Sequence, residues 1–107
     1  MSAEDFRAAV LRAVAAIPPG KAATFGMLAA LAGNPRAARL AARAVGSAPD
    51  GLPCHRVVRA GGVLVPAHVF GPGVQHALLL SEGVAFDTQG RVCRECLWRL
   101  EDIPVNR

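Results

Sequence analysis

Leu52-Pro53-Cys54-His55-Arg56-Val57-Val58 is the stretch of this chain whose residue types and order could do chemistry. Thiolate is the nucleophilic form of cysteine, and a neighbouring imidazole or cation raises its population by lowering the thiol pKa. His55 follows Cys54 directly, while Arg56 and Arg59 add positive charge that would also attract a polyanion. Pro53 braces the turn, and the β-branched pair Val57-Val58 leads into extended backbone. Cysteine next to histidine equally describes a small buried thiol beside an ordinary histidine, so its meaning rests on the surroundings.

Those surroundings begin with charge. The chain has 107 residues, a net charge of +4 and a pI of about 9.8. Between Lys21 and Arg59 lie Lys21, Arg36, Arg39, Arg43, Arg56 and Arg59, against Asp50 as the lone acid. A basic middle of this kind suits a nucleic-acid partner, with plain solubilising charge as the alternative. The length predicts one domain over residues 1–107 with a modest core. The hydrophobic fraction of 52% is rich in alanine, so that core should be built from closely approaching helices. No apolar run approaches the roughly 20 residues that span a bilayer, and the acidic start Met1-Ser2-Ala3-Glu4-Asp5 is unlike a signal peptide. With an odd count of three cysteines, this predicts a reducing cytoplasmic setting, with nucleoid association through DNA and no membrane partner.

The elements that must position Cys54 follow from periodicity. Ser2 caps a first helix on which Phe6, Val10, Leu11, Val14 and Ile17 recur at helical spacing, and Pro18-Pro19-Gly20 ends it. Thr24 caps a short second helix to Ala32, with Phe25, Leu28 and Leu31 inward. Gly33-Asn34-Pro35 turns the chain, and Pro35 suits the first position of a third helix running to about Ser47. Two short helices joined by such a turn read as a helix-turn-helix. On the third helix Arg36, Arg39 and Arg43 at i, i+3 and i+7 share a face among small alanines, which lets that face approach DNA closely. Beyond Cys54, Val57-Val58 and Val63-Leu64-Val65 flank Arg59-Ala60-Gly61-Gly62 as a small hairpin or wing. Pro66 to Gly73 reads as an irregular loop, Gln75 to Ser81 as an apolar helix, and Val84-Ala85-Phe86 as a short strand before the turn Asp87–Gly90. The segment Val92 to Leu100 packs Trp98. The fold class is therefore mainly α with a small β element, of helix-turn-helix or winged-helix type.

Cys93-Arg94-Glu95-Cys96 is a lone CxxC. Zinc would need two more ligands from His68 and His76, and redox chemistry would need a thioredoxin-like setting. It is read as incidental, with no metal and no cofactor.

Five stretches together carry a resemblance over nearly the whole chain. They are Ile17-Pro18-Pro19-Gly20-Lys21, Thr24-Phe25-Gly26-Met27-Leu28-Ala29, Gly33-Asn34-Pro35-Arg36-Ala37-Ala38-Arg39, Pro53-Cys54-His55-Arg56-Val57-Val58 and Glu82-Gly83-Val84. The chain resembles the O6-alkylguanine-DNA alkyltransferase superfamily, and most closely its short alkyltransferase-like branch. The resemblance implies a monomer that docks its helix-turn-helix from the minor-groove side of double-stranded DNA and rotates an O6-alkylated guanine out of the stack. It implies Cys54 as nucleophile, His55 as base and Glu82 as the orienting carboxylate, in a single irreversible displacement. It implies Thr24, Phe25, Arg36, Arg39, Arg43 and Arg56 at the DNA, with Arg39 or Arg43 filling the gap left by the base. Phe25 stands where most relatives have tyrosine, which keeps bulk and loses a hydroxyl. The loop from about Val65 to Phe70 is implied to line the base pocket, whose residues are Phe25, Val57, Pro66, Ala67 and His68. The cysteine itself departs from the short branch, which generally carries tryptophan or alanine there. Two functions stay open: a single-turnover methyltransferase, and a non-enzymatic lesion sensor that hands damage to nucleotide excision repair. A plain helix-turn-helix regulator with Cys54 in its core is the third.

Overall fold

Ser2 opens the first helix as its sequence requires. Its Oγ accepts from the Asp5 amide at 3.1 Å, and Asp5 accepts in turn from the Ser2 amide at 3.2 Å. In the computed structural model, which describes residues 2–103, this helix is α1 (Ala3–Ala16). It buries Phe6, Val10 and Val14 at i, i+4 and i+8, each contributing roughly 1.5–3 kcal/mol over an exposed position. Ile17 closes the helix, and Pro18 prevents its continuation.

The chain then runs through β1 (Ala23–Thr24) directly into α2 (Phe25–Leu31). Thr24 Oγ1 caps α2 by accepting from the Met27 amide at 3.1 Å. At the far end Gly33, with φ of +96°, lets the amides of Gly33 and Asn34 return to the carbonyls of Ala30 and Ala29.

The helix α3 (Ala38–Gly46) begins three residues later than Pro35 suggests. Asn34 closes a turn instead: its carbonyl accepts from Ala37 at 3.0 Å, with Pro35 at the second position, which its fixed φ favours. Arg36 therefore precedes α3 and does not share its face with Arg39 and Arg43, which corrects the expected stripe of arginines. Ala37, Ala41 and Ala44 are buried against α1 and α2, where Ala29 and Ala32 face them. Small side chains at this contact let the three helices close together. Arg7 of α1 ties the end of α3, donating to Ser47 Oγ at 3.1 Å and to the Ser47 carbonyl at 2.8 Å.

The second half departs further from expectation. β2 (Val57–Val58) does not form a hairpin with Val63-Leu64-Val65 but pairs in parallel with β1, Ala23 opposite Val57 and Thr24 opposite Val58. Only a single antiparallel bridge joins Arg59 to Val63 across the turn at Ala60–Gly62. Gly62 makes this turn possible: its φ is +84°, and a Cβ would lie 2.7 Å from the Val92 carbonyl oxygen. The expected loop from Pro66 contains one helical turn, α4 (Ala67–Phe70), before α5 (Val74–Ser81). The expected strand at 84–86 reduces to one bridge, Phe86 to Val92. Trp98 is buried as anticipated, its amide donating to the Ala22 carbonyl at 2.8 Å. The helices α1–α3 enclose one apolar cluster, and Ala22, Val58, Leu79, Val84 and Val92 form a smaller second one.

Candidate functional site

Cys54 opens a single 3-10 turn, Cys54–Arg56, between α3 and β2. It is half-buried and lines a cavity of about 480 Å³. The rest of the wall is Phe25 from α2, Ala42, Val45 and Gly46 from α3, Val57, Arg59 and Val65 from the segment around β2, and Pro66, Val69 and Phe70 from around α4. Apart from Arg59 and the thiol, this lining is apolar or backbone. Burial pushes the Cys54 thiol up.

Beside the cavity sits a carboxylate with two partners. Glu82, which closes α5, accepts from Arg56 Nε at 2.9 Å and from Arg56 Nη2 at 2.6 Å, a two-pronged pair. His55 Nε2 lies 3.1 Å from Glu82 Oε2. That contact is close but not aligned as a hydrogen bond, and the buried nitrogen has no other partner. The Arg56 guanidinium, with help from His55, holds the Glu82 carboxyl at about 2. Arg56 also donates to the Ile17 carbonyl at 2.9 Å. Its guanidinium is thus consumed inside the fold, and it does not reach the basic surface where it was expected to meet DNA.

Gln75 is the buried polar side chain that holds this arrangement together. Its Nε2 donates to the carbonyls of His55 (3.0 Å) and Val57 (2.8 Å), and its Oε1 accepts from the Val65 amide at 2.9 Å. One side chain on α5 therefore fastens the Cys-His turn to the opposite wall of the cavity.

The structure brings together Cys54, Phe25, Val57 and Pro66 of the expected residues, and sets His55 and Glu82 beside them. Ala67 and His68 do not line the cavity, which corrects their expected place in the base pocket. Helical spacing in α4 turns Pro66, Val69 and Phe70 to one side; Ala67 faces a smaller cavity of about 100 Å³ behind α4, and His68 is exposed. Thr24 is half-buried as the cap of α2, and Phe25 serves both the cavity and the helical core. Arg36, Arg39 and Arg43 are exposed, and among the described residues none pairs with a carboxylate. They differ in neighbourhood. Arg39 continues the stripe of Ala42 and Gly46, at i, i+3 and i+7, and those two line the Cys54 cavity. Arg43 instead edges a groove with Phe6, Arg7 and Leu40 of about 260 Å³. Val65, Val69 and Phe70 belong to the 65–70 loop that the resemblance sets at the pocket, and Arg59 is the cation read beside Cys54; the residues absent from the expected set are Ala42, Val45, Gly46 and Gln75. The helical period of Ala42, Val45 and Gly46 was a usable signal for the first three, whereas nothing local marks Gln75.

Among the described residues no cluster of three or more His, Cys, Asp or Glu could hold a metal, and no helix is long and apolar enough to cross a membrane. Cys96 Sγ accepts from the Ala85 amide at 3.4 Å; burial and the nearby Glu95 and Asp87 push the Cys93 thiol up.

Comparison with known proteins fits this geometry. The chain is 41% identical over 97 residues to the DNA base-flipping protein of Escherichia coli (strain K12), covering 86% of this chain and 73% of the relative. It is 43% identical over 67 residues to the methylated-DNA–protein-cysteine methyltransferase of Mus musculus, covering 61% of this chain and 32% of that protein. In structure it superposes on S. pombe Atl1, solved in complex with damaged DNA containing O6-carboxymethylguanine. That match has a TM-score of 0.76 and 28% identity, over 92% of this chain and 99% of Atl1. The Mycobacterium tuberculosis O6-methylguanine methyltransferase matches with a TM-score of 0.64 at 37% identity, over 74% of this chain and 48% of that one. Residues 5–84 match the family described as 6-O-methylguanine DNA methyltransferase, DNA binding domain, and the chain belongs to that family.

Proposed function

We propose that this chain is a DNA repair protein that binds O6-alkylguanine in duplex DNA, turns the damaged base out of the stack, and transfers its alkyl group once to Cys54. The observation that carries the reading is the cavity. A thiol, the pocket-facing stripe of α3 and an apolar wall meet in one space of about 480 Å³, with Arg59 in its lining. A base inside a duplex cannot present its O6 substituent to a protein sulfur, so it must be extruded, and a poorly pairing base costs less to unstack. In the transfer the Sγ–C bond forms as the O6–C bond breaks. The thiol proton ends on the departing guanine, and the thioether is not regenerated. The neighbouring Glu82, held ionised by Arg56, lies 3.1 Å from His55 Nε2, in place for the orienting carboxylate of the base.

One observation favours the sensor reading. The thiol is raised by burial, and no cation lowers it at rest. A protein that recognises the lesion without repairing it, and hands it to nucleotide excision repair, would use the same cavity. Intact-protein mass spectrometry after incubation with O6-methylguanine duplex separates the two. Transfer predicts a mass gain of one methyl group that Cys54→Ser abolishes. Binding that discriminates the lesion, with no adduct and no loss of affinity in Cys54→Ala, establishes the sensor. Equal affinity for damaged and normal duplex removes both.

A further inference from the structure

Arg59 is the cation in the wall of the Cys54 cavity, and the function above leaves it unused. Its position is fixed from two sides. The Arg59 amide donates to the Val63 carbonyl at 2.8 Å. Its guanidinium donates through Nε (2.9 Å) and Nη2 (2.6 Å) to the Leu64 carbonyl. A carbonyl oxygen orients the group without neutralising it, and among the described residues no carboxylate pairs with Arg59. The third nitrogen, Nη1, has no protein acceptor among the described residues. Arg56, three residues earlier, shows the contrast: its charge is cancelled by Glu82 and its donors are used within the fold.

We propose that Arg59 determines which O6 substituents the cavity prefers, by offering its unpaired guanidinium edge to an anionic group such as a carboxylate carried on the alkyl chain. The inference rests on the lesion-binding reading and deepens it. A methyl group gains only contact with Val65, Pro66, Val69 and Phe70, whereas a carboxymethyl group adds a charge-assisted hydrogen bond beside an apolar wall. Such a bond is stronger there than in water because the surroundings screen it less. Arg59 is exposed on its outer side, which tempers the effect. The expected preference for the carboxymethyl lesion over the methyl lesion is about five- to tenfold, the scale of one partly screened charge-assisted bond.

Fluorescence anisotropy on three otherwise identical duplexes, carrying guanine, O6-methylguanine or O6-carboxymethylguanine, tests this. A Cys54→Ala background keeps the measurement at equilibrium. The expected result is that Arg59→Gln brings the carboxymethyl-to-methyl ratio close to one. An unchanged carboxymethyl-to-methyl ratio overturns the proposal. So does an equal loss on all three duplexes, which would make Arg59 a phosphate contact. A duplex bearing the neutral O6-carbamoylmethyl isostere asks the same question with Arg59 intact, so it holds even if the substitution disturbs the fold. It should bind like the methyl lesion, and affinity equal to the carboxymethyl lesion overturns the assignment. If neither lesion outbinds guanine, the lesion-binding reading falls, and this inference with it.

Discussion

Glu82 carries the heaviest electrostatic load of any residue in the site. Its carboxyl stands at about 2 in the fold against 4.5 for an unperturbed one. A carboxyl depressed on folding contributes stability that is complete above the unfolded value and is lost as pH falls through the folded one. Thermal melts should therefore show stability falling between about pH 4.5 and pH 2, and Glu82→Gln should flatten that part of the profile. A wild-type profile already flat there would remove the pair from the account. Arg39 and Arg43 make a second pair of expectations. Arg39 shares the stripe of Ala42 and Gly46, so Arg39→Ala should weaken binding to a lesion duplex at least tenfold, a loss of about 1.4 kcal/mol or more. Arg43→Ala, on the groove beside α1, should cost much less; the reverse order in an anisotropy titration would reassign the intercalating role. Cys54, His55 and Glu82 are legible as residue types in the sequence. That Arg56 belongs to Glu82 is not, because the partners lie 26 positions apart and arginine reads the same on a surface as in a pair. The same holds for Gln75, whose value lies in three distant backbone groups.

At the scale of elements, the turn between β2 and α4 is the piece that depends on its glycines. Gly62→Ala combines a φ of +84° with a Cβ set 2.7 Å from the Val92 oxygen. It should cost about 2–3 kcal/mol, read as a lower urea midpoint. Gly61→Ala, with φ of +75° but open space around the new Cβ, should cost about 1 kcal/mol. Equal losses would mean that the contact with Val92 is unimportant. The helices were readable because their signals are local: the Ser2 box, the Thr24 cap and the period of Phe6, Val10 and Val14. The start of α3 was misread because proline suits both a helix opening and the second place of a turn, and Asn34 decided for the turn. The wing was misread because neighbouring β-branched runs suggest a hairpin, whereas Val57-Val58 finds its partner far back in the chain at Ala23-Thr24.

On the proposed reading, charge over the whole molecule sets the affinity and the cavity sets the choice of base. Each phosphate neutralised adds about −0.9 to the slope of log K against log salt. Arg36 sits at the surface before α3, away from the cavity lining, so Arg36→Ala should make that slope shallower by about one while leaving the lesion-to-normal ratio intact. A changed ratio would move Arg36 from the backbone to the base. The parallel pairing of β1 with β2 has a mechanical corollary. Ala23-Thr24 continue straight into α2 and also pair with the strand leaving Cys54, so the start of α2 and the Cys54 turn are tied to each other. On the proposed reading, a tie of this kind leaves the distortion of docking to the double helix. Lesions next to easily kinked pyrimidine–purine steps would then be found more readily than the same lesions inside stiff adenine tracts.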